Sequence, residues 1–200
     1  MFELDDDSNF SKLFELLKNK PTVDYFKKLR ERIPQDIVEK AYYAIFFNRT
    51  TFSGIFRSGP IGGYSQKGKY KIDCRYNCER LIKDIEKLRI LFKDRIIVSN
   101  EHANTFLNNI EDAALIYLDP PYYGQGKALY NKFMVPDEHL QLSKLLKDKN
   151  NWILSYDKCK EIKDLYESFC SFEDLECKYT INIEESKSRK KSKEYVIIPK

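Results

Sequence analysis

Short apolar runs alternate with segments of helical periodicity over the C-terminal half of the chain. The runs are RIIVSN (95–100), ALIYLD (114–119), NWILSYD (151–157), LECKYTIN (175–182) and KEYVIIP (193–199). Between the first four runs lie helical patterns at residues 103–110, 137–148 and 160–169, and Asp137 is the expected N-cap of the second. This alternation predicts a mainly parallel sheet covered by helices on both faces. The last two runs have no helix between them, which predicts an antiparallel hairpin.

Helical periodicity dominates the N-terminal half. It predicts helices at residues 8–19, 22–33, 35–48 and 77–92, with Ser8 as the expected cap of the first. Between the last two helices, five of the seven glycines occur, which indicates a long loop or an irregular hairpin. Residues 49–80 carry seven Lys or Arg against two acids. Such a segment is either a surface that contacts phosphates or a solvated loop face.

Composition excludes several classes of protein. No apolar run approaches the length of a membrane span, and the acidic start MFELDDDSNF differs from a signal peptide. Five cysteines, an odd number, argue against a disulfide framework, and Cys74 and Cys78 have neither zinc-site spacing nor a nearby His. We therefore expect reduced thiols, no metal and a cytoplasmic protein without a membrane partner.

The stretch LIYLDPPYYGQG, residues 115–126, carries the chemistry. An apolar strand ends there at Asp119, and two prolines then remove two backbone donors. The Asp119 carboxylate, an outward carbonyl and the ring of Tyr122 would suit a flat ring with an exocyclic amino group. Asp157 ends the next apolar run, and ligands of such sheets bind outside the carboxyl ends of the strands. A strand-ending turn with buried tyrosines is the alternative interpretation.

Four motifs in order resemble the adenine-specific DNA methyltransferases of the Dam-like, or α, group. YLDPPYY resembles the motif IV of this family, and NRTTFSG followed by Arg57 resembles the opening of its DNA-recognition insert. WILSYDKCKEIKDLY resembles a further block of the family, and YTIN with RKKSKEYVII resembles its closing hairpin. The resemblance covers the chain from about Glu3 to Ile198.

The resemblance implies a fold and a division of the chain. The fold would be α/β, a Rossmann-like S-adenosylmethionine-dependent methyltransferase sheet, incomplete at the N-terminus, with a mostly helical DNA-recognition insert. Residues 1–20 and 94–200 would form the catalytic domain, and residues 21–93 would form the insert. The activity would be methyl transfer from S-adenosylmethionine, without a metal, to the exocyclic amino group of adenine in double-stranded DNA, in a restriction–modification system.

Individual roles also follow from the resemblance. Asp119 and the Pro120 carbonyl would bind the adenine amino group, with Pro121 as the rigid base from which Tyr122 stacks on the flipped ring. Phe52 would wedge into the base stack, or else anchor a loop, and Arg57 would read guanine. Ser53 stands where several members have Asn. The phosphate contacts would come from basic side chains, namely Arg49, Lys67, Lys69 and Lys71.

The chain departs from the family in its donor-binding part. No F-x-G-x-G segment follows a strand near the N-terminus, because the first glycine is Gly54. Glu3 is the expected ribose ligand and Asp5 the second choice, although both could be surface acids. His102 stands in place of the acid that meets the donor adenine, and Asp119 would lie beside the methionine end. Three explanations are open: a fragment of a broken gene, one half of a split enzyme with a separate N-terminal half chain, or a missed upstream start.

Several further residues and two alternative functions also have to be considered. Asp157 would line the base pocket or cap a helix, and His139 needs no function on the polar side of its helix. Trp152 would pack in the core, and residues 187–193, KSRKKSK, would form a hairpin tip or contact phosphate. The alternatives to DNA methylation are a catalytically inactive DNA-binding remnant, or a methyltransferase for RNA or protein glutamine.

Overall fold

The computed structural model describes residues 6–110, 114–124, 134–178 and 191–200. By internal contacts the chain divides into two compact units, with the boundary between Ser99 and Asn100. The first unit contains α1 (Asp7–Leu17), α2 (Val23–Glu31), α3 (Ile37–Thr50), a 3₁₀ turn (Phe52–Gly54) and α4 (Cys78–Phe92). The second contains α5 (Ala103–Asn109), β1 (Ile116–Leu118), α6 (Pro136–Lys147), β2 (Trp152–Asp157), α7 (Lys160–Tyr166), β3 (Cys170–Lys178) and β4 (Lys191–Pro199).

Capping side chains set where the helices of the first unit begin. Asp6 accepts a hydrogen bond from the Ser8 amide at the start of α1, so the expected cap at Ser8 is wrong by two residues. Thr22, Asp36 and Asn77 cap the other three helices by accepting amide hydrogen bonds in the same way. Such caps satisfy donors that the first turn of a helix leaves unpaired.

The core of the first unit is aromatic. Phe26 and Phe46 have no exposed side-chain surface, and Phe47 packs edge-to-face on both. Leu13 and Leu17 of α1 belong to the same buried cluster, and Tyr76, from the irregular segment, joins it. Helix α1, which falls within the residues 1–20 that the resemblance assigns to the catalytic domain, packs with the helices that follow it.

The second unit is built on a four-stranded sheet of order β1–β2–β4–β3. Strands β1 and β2 are parallel, whereas β2–β4 and β3–β4 are antiparallel. The expected hairpin of the last two strands is confirmed. Strands β1, β2 and β3 run in the same direction, as the expectation of a mainly parallel sheet requires, whereas β4 lies between β2 and β3 and runs against both.

The two faces of this sheet differ in burial. Trp152, Leu154 and Tyr156 of β2 are buried, and their neighbours Ile153, Ser155 and Asp157 are only half-buried. The buried face packs with Leu142 and Leu146 of α6 and with Ile162 and Tyr166 of α7. Trp152 lies in this core, as expected, and its indole N–H donates to the Leu146 and Lys149 carbonyls. The half-buried face carries the polar Ser155 and Asp157 next to the apolar Ile153.

Two local expectations are corrected. Residues 95–100 contain no strand, and Ile97 is 98% exposed, because an apolar run becomes a strand only where a neighbouring strand supplies hydrogen bonds. Helix α6 is capped at Val135 rather than at Asp137, and the Glu138 carboxylate accepts from the Val135 amide. No helix in the described ranges is long and apolar enough to cross a membrane.

Candidate active site

The segment Asp119–Gly124 begins directly after β1, as the apolar run and the two prolines predict. Strand β1 is in register with β2, with Tyr117 opposite Ile153 and Leu118 opposite Leu154. This register brings Ser155 beside Asp119, and the Ser155 hydroxyl donates to Asp119 Oδ1 at 3.0 Å. The Asp119 side chain is exposed, while Pro120 and Pro121 are half-buried. Ser155 therefore orients a carboxylate that faces solvent at the carboxyl end of a strand.

The two tyrosines of the motif point to different partners. The Tyr122 hydroxyl donates to Glu194 Oε1 at 2.6 Å, and Glu194 is 7% exposed. The Tyr123 ring packs against the imidazole of His139, with 5.0 Å between ring centroids. Both rings are half-buried. The tyrosines thus tie the segment to β4 on one side and to α6 on the other.

Asp157 holds the backbone of the same segment. Its Oδ1 accepts from the Tyr123 amide at 2.9 Å, and its Oδ2 accepts from the Gly124 amide at 2.8 Å. A Cβ at position 124 would lie 3.1 Å from Asp157 Oδ2, so glycine permits this close approach. The expectation that Asp157 caps a helix is wrong, since the N-cap of α7 is Cys159.

His139 lies beneath this segment and is 1% exposed, so its expected position on the polar side of α6 is wrong. Its Nδ1 lies 2.5 Å from the hydroxyl of Tyr156, which has no exposed surface. Burial lowers the pKa of His139, while a backbone hydrogen bond with Met134 and the charges of Asp157 and Glu138 oppose that shift. Burial also raises the pKa of Tyr156, so both groups are neutral at physiological pH.

The residues expected to bind the methyl donor are only partly described. His102 is the N-cap of α5: its Nδ1 accepts from the Asn104 amide, and its Nε2 lies 3.8 Å from Glu138. Glu3 and Asp5 lie outside the described residues. Asp119 is therefore the one residue of this set that the structure places at the candidate site.

The expected DNA-binding residues run from Arg49, in the last turn of α3, through the irregular segment that follows this helix. Thr51 and Pro60 form an isolated antiparallel bridge, and the Phe52 amide donates to the Gly59 carbonyl at 3.0 Å. Phe52 and Arg57 are exposed on the hairpin that this bridge closes, and Ser53 has a positive φ of 54°. The remaining members are the half-buried Arg49 and the exposed Lys67, Lys69 and Lys71.

Gln66 organises the glycine-rich segment that follows the hairpin. Its Nε2 donates to the carbonyls of Ile61 and Gly63 at 2.8 and 2.6 Å, and its Oε1 accepts from the Ile72 amide at 2.9 Å. The Lys71 ammonium donates to the Gln66 carbonyl. One side chain thereby fixes the segment that displays Lys67, Lys69 and Lys71. Sequence reasoning did not identify Gln66, because a glutamine in a loop carries no periodic signal.

Sequence reasoning also missed Ser155 and Glu194. The alternation of β2 places Ser155 on the face opposite Trp152, a signal that was present in the sequence. Glu194 gave no comparable signal, because its contact with Tyr122 spans 72 positions. Within the described parts of the chain, no three or more His, Cys, Asp or Glu residues are grouped so that they could hold a metal ion.

Comparison with known proteins agrees with this geometry. Residues 5–183 match the family model of the D12 class N6 adenine-specific DNA methyltransferases. The chain is 27% identical over 164 residues to the type II methyltransferase M.CviBI of Paramecium bursaria Chlorella virus NC1A. The alignment covers 79% of this chain and 59% of that relative, so the chain spans less than two thirds of its length. Since the family model matches most of the chain, this protein belongs to the D12 class N6 adenine-specific DNA methyltransferase family.

Proposed function

We propose that this protein transfers a methyl group to the exocyclic amino group of adenine in double-stranded DNA. The observation that carries the proposal is the segment Asp119–Gly124, which presents an exposed carboxylate and a fixed aromatic ring at the carboxyl end of β1. The name of the type II relative supports a role in restriction–modification. Because DNA is the proposed substrate, we also propose a cytoplasmic location.

Adenine suits this arrangement of donors and acceptors. Its amino group offers two N–H bonds, which the Asp119 carboxylate and the Pro120 carbonyl would accept. Accepting both hydrogens makes the nitrogen lone pair less conjugated with the ring and better placed to attack an electrophile. Tyr122 would stack on the extruded base, and Pro121 would limit the motion of that ring. The proton lost from the amino group would pass to Asp119 or to water.

S-adenosylmethionine is the proposed methyl donor, and when bound it would supply an electrophilic methyl group. The described residues fit such a donor in part, because Asp119 is an exposed acceptor for its cationic end. His102 would meet the donor adenine through Nε2, which also lies 3.8 Å from Glu138. Glu3 and Asp5 are retained as proposed ribose ligands on the basis of the sequence.

The hairpin closed by Thr51 and Pro60, together with the glycine-rich segment that follows it, is the proposed DNA-reading surface. Phe52 would fill the space left by an extruded base, and Arg57 would bind a guanine edge. Ser53 would hold the turn between them, since its positive φ shapes the hairpin. The lysines at positions 67, 69 and 71, together with Arg49, would contact phosphates. A separate half chain remains a proposed partner, and residues 21–93 remain the proposed recognition insert.

Methyl incorporation into DNA tests this proposal. We expect the purified chain to transfer label from radioactive S-adenosylmethionine to adenine in a duplex, and Asp119→Ala to reduce the rate at least 100-fold, since one acceptor of the reacting amino group is lost. Asp164→Asn on α7 is the matched control. It removes an exposed carboxylate that pairs with Lys160, and it should leave the rate unchanged.

DNA binding measured at two salt concentrations accompanies the assay. Tight, salt-sensitive binding together with Asp119-dependent methylation supports the proposal. Salt-sensitive binding without methylation by the wild-type chain would contradict catalysis by this chain alone and favour the DNA-binding alternative. Methylation that survives Asp119→Ala would show that the reacting amino group is held elsewhere.

A further inference from the structure

Two carboxylates face each other across the strands that support the candidate active site. Asp157 of β2 is paired in register with Glu194 of β4. Residues paired in this way project from the same face of a sheet, with their Cβ atoms about 5 Å apart, and like charges placed so are destabilising. Glu194 is 7% exposed and Asp157 is half-buried, so both carboxylates are partly removed from the hydrogen bonds of water. A compensating set of donors is therefore required.

The donors come from three successive residues after the two prolines. The Tyr122 hydroxyl donates to Glu194 at 2.6 Å, and the amides of Tyr123 and Gly124 donate to Asp157 at 2.9 and 2.8 Å. Hydrogen bonds with an ionised acceptor are shorter and stronger than neutral ones. Pro120 and Pro121 have no backbone N–H, so the amides that donate to Asp157 come only after them.

We infer that Asp157 and Glu194 act together as positioning residues for the segment Asp119–Gly124. Asp157 fixes the backbone after the prolines, and Glu194 fixes the tilt of the Tyr122 ring through its hydroxyl. Neither carboxylate binds the substrate in this inference. The inference deepens the proposed function and rests on it, because the ring that Glu194 holds is the proposed stacking surface for adenine.

Gly124 also contributes to the anchoring of this segment by Asp157. A Cβ at this position would lie 3.1 Å from Asp157 Oδ2, which is closer than ordinary van der Waals contact. Gly124→Ala should therefore push the segment away from Asp157 without removing any hydrogen-bonding group. It tests the spacing independently of the charge.

The first experiment measures hydrogen exchange of the Tyr123 and Gly124 amides by NMR, in the purified chain without donor or DNA. We expect Asp157→Ala and Gly124→Ala to accelerate exchange at these amides at least 10-fold more than at amides of α7. Glu173→Gln, which changes an exposed carboxylate on β3, should leave them unchanged. Equal acceleration throughout the second unit would indicate general destabilisation and overturn the inference.

The second experiment is a double-mutant cycle of methylation rates with Tyr122→Phe and Glu194→Ala. If Glu194 acts through the Tyr122 hydroxyl, each change should lower kcat about 10-fold or more, and the double variant should be no slower than either. Glu194→Gln keeps an acceptor and should restore much of the rate. Additive losses, or no rescue by glutamine, would show that Glu194 does not act through Tyr122.

The two experiments separate failure of this inference from failure of the proposed function. Amide exchange that depends on Asp157, in a chain without methylation, would support the anchoring and contradict the activity. Asp119-dependent methylation with amide exchange indifferent to Asp157 would support the activity and overturn the anchoring.

Discussion

His139 Nδ1 and the hydroxyl of Tyr156 lie 2.5 Å apart inside the core of the second unit. The Tyr123 ring covers the imidazole of His139, with 5.0 Å between the ring centroids. Glu138 and Asp157 are the charged groups near it, and neither reverses the effect of burial on its pKa. The segment that carries the candidate site therefore rests on an uncharged histidine.

This relationship predicts that stability falls on mild acidification. The unfolded chain takes up a proton at His139 near pH 6.5, whereas the folded chain does so only at a lower pH. The contribution of His139 to the free energy of unfolding is thus fully present above pH 6.5 and is lost as the pH falls through the lowered pKa. Urea unfolding at pH 7.5 and 5.5 measures the decrease in free energy of unfolding. This decrease should be smaller in His139→Gln than in the wild-type chain. Equal losses in both proteins would show that other groups dominate.

The glycines at 62 and 63 should differ sharply in their tolerance of alanine. Both have positive φ, +82° and +71°, but a Cβ at Gly62 would lie 2.4 Å from the Tyr70 carbonyl oxygen. No described atom lies within 4 Å of the corresponding Cβ at Gly63. We expect Gly63→Ala to cost about 1 kcal/mol in free energy of unfolding and Gly62→Ala clearly more. Urea titration of both variants measures these losses. Equal losses of free energy of unfolding would contradict the close approach of Gly62 to the Tyr70 carbonyl.

Arg30 should stabilise the hairpin in a way that lysine cannot reproduce. Its guanidinium lies 4.2 Å from the ring centroid of Phe47, and Nη2 donates to the Ser58 carbonyl at 2.9 Å. We expect Arg30→Lys to cost about 1 kcal/mol in free energy of unfolding, because the planar stack and the hydrogen bond are lost while the charge remains. Thermal unfolding measures this.

Arg80→Lys is the control for Arg30. Arg80 makes a 3.7 Å pair with Asp84 on the exposed side of α4, and such pairs contribute little. Its replacement should change stability by less than about 0.5 kcal/mol. A comparable loss of stability in both variants would mean that the stack of Arg30 on Phe47 does not stabilise the fold more than an exposed ion pair does.

Phe52 and Phe56 should separate DNA recognition from stability. Phe52 is 53% exposed, whereas the Phe56 ring packs 5.9 Å from that of Phe47. Under the proposed function, Phe52→Ala should leave unfolding almost unchanged and strongly reduce the fluorescence of 2-aminopurine extruded from a target duplex. Phe56→Ala should lower stability instead. An undiminished signal with Phe52→Ala would exclude the wedge role.

Much of the local structure could be predicted because its causes lie close together in the chain. The capped, periodic segment after Asp36 does form α3, and the prolines after Asp119 do follow a strand. The prediction failed where hydrophobic periodicity gave no information about which strands pair. Residues 95–100 have the composition of a strand, yet none of the described strands pairs with them.

The sequence by itself determined the helices, the strand-ending motif with Asp119 and Tyr122, and the family to which the chain belongs. Only the tertiary structure decided what holds that motif. Asp157 and Glu194 reach it across 33 to 72 positions, and their roles depend on the register of β2 with β4. A register is set by the packing of a whole sheet face rather than by any short stretch. For this reason the composition of the motif could be read along the chain, whereas the contacts that orient it could not.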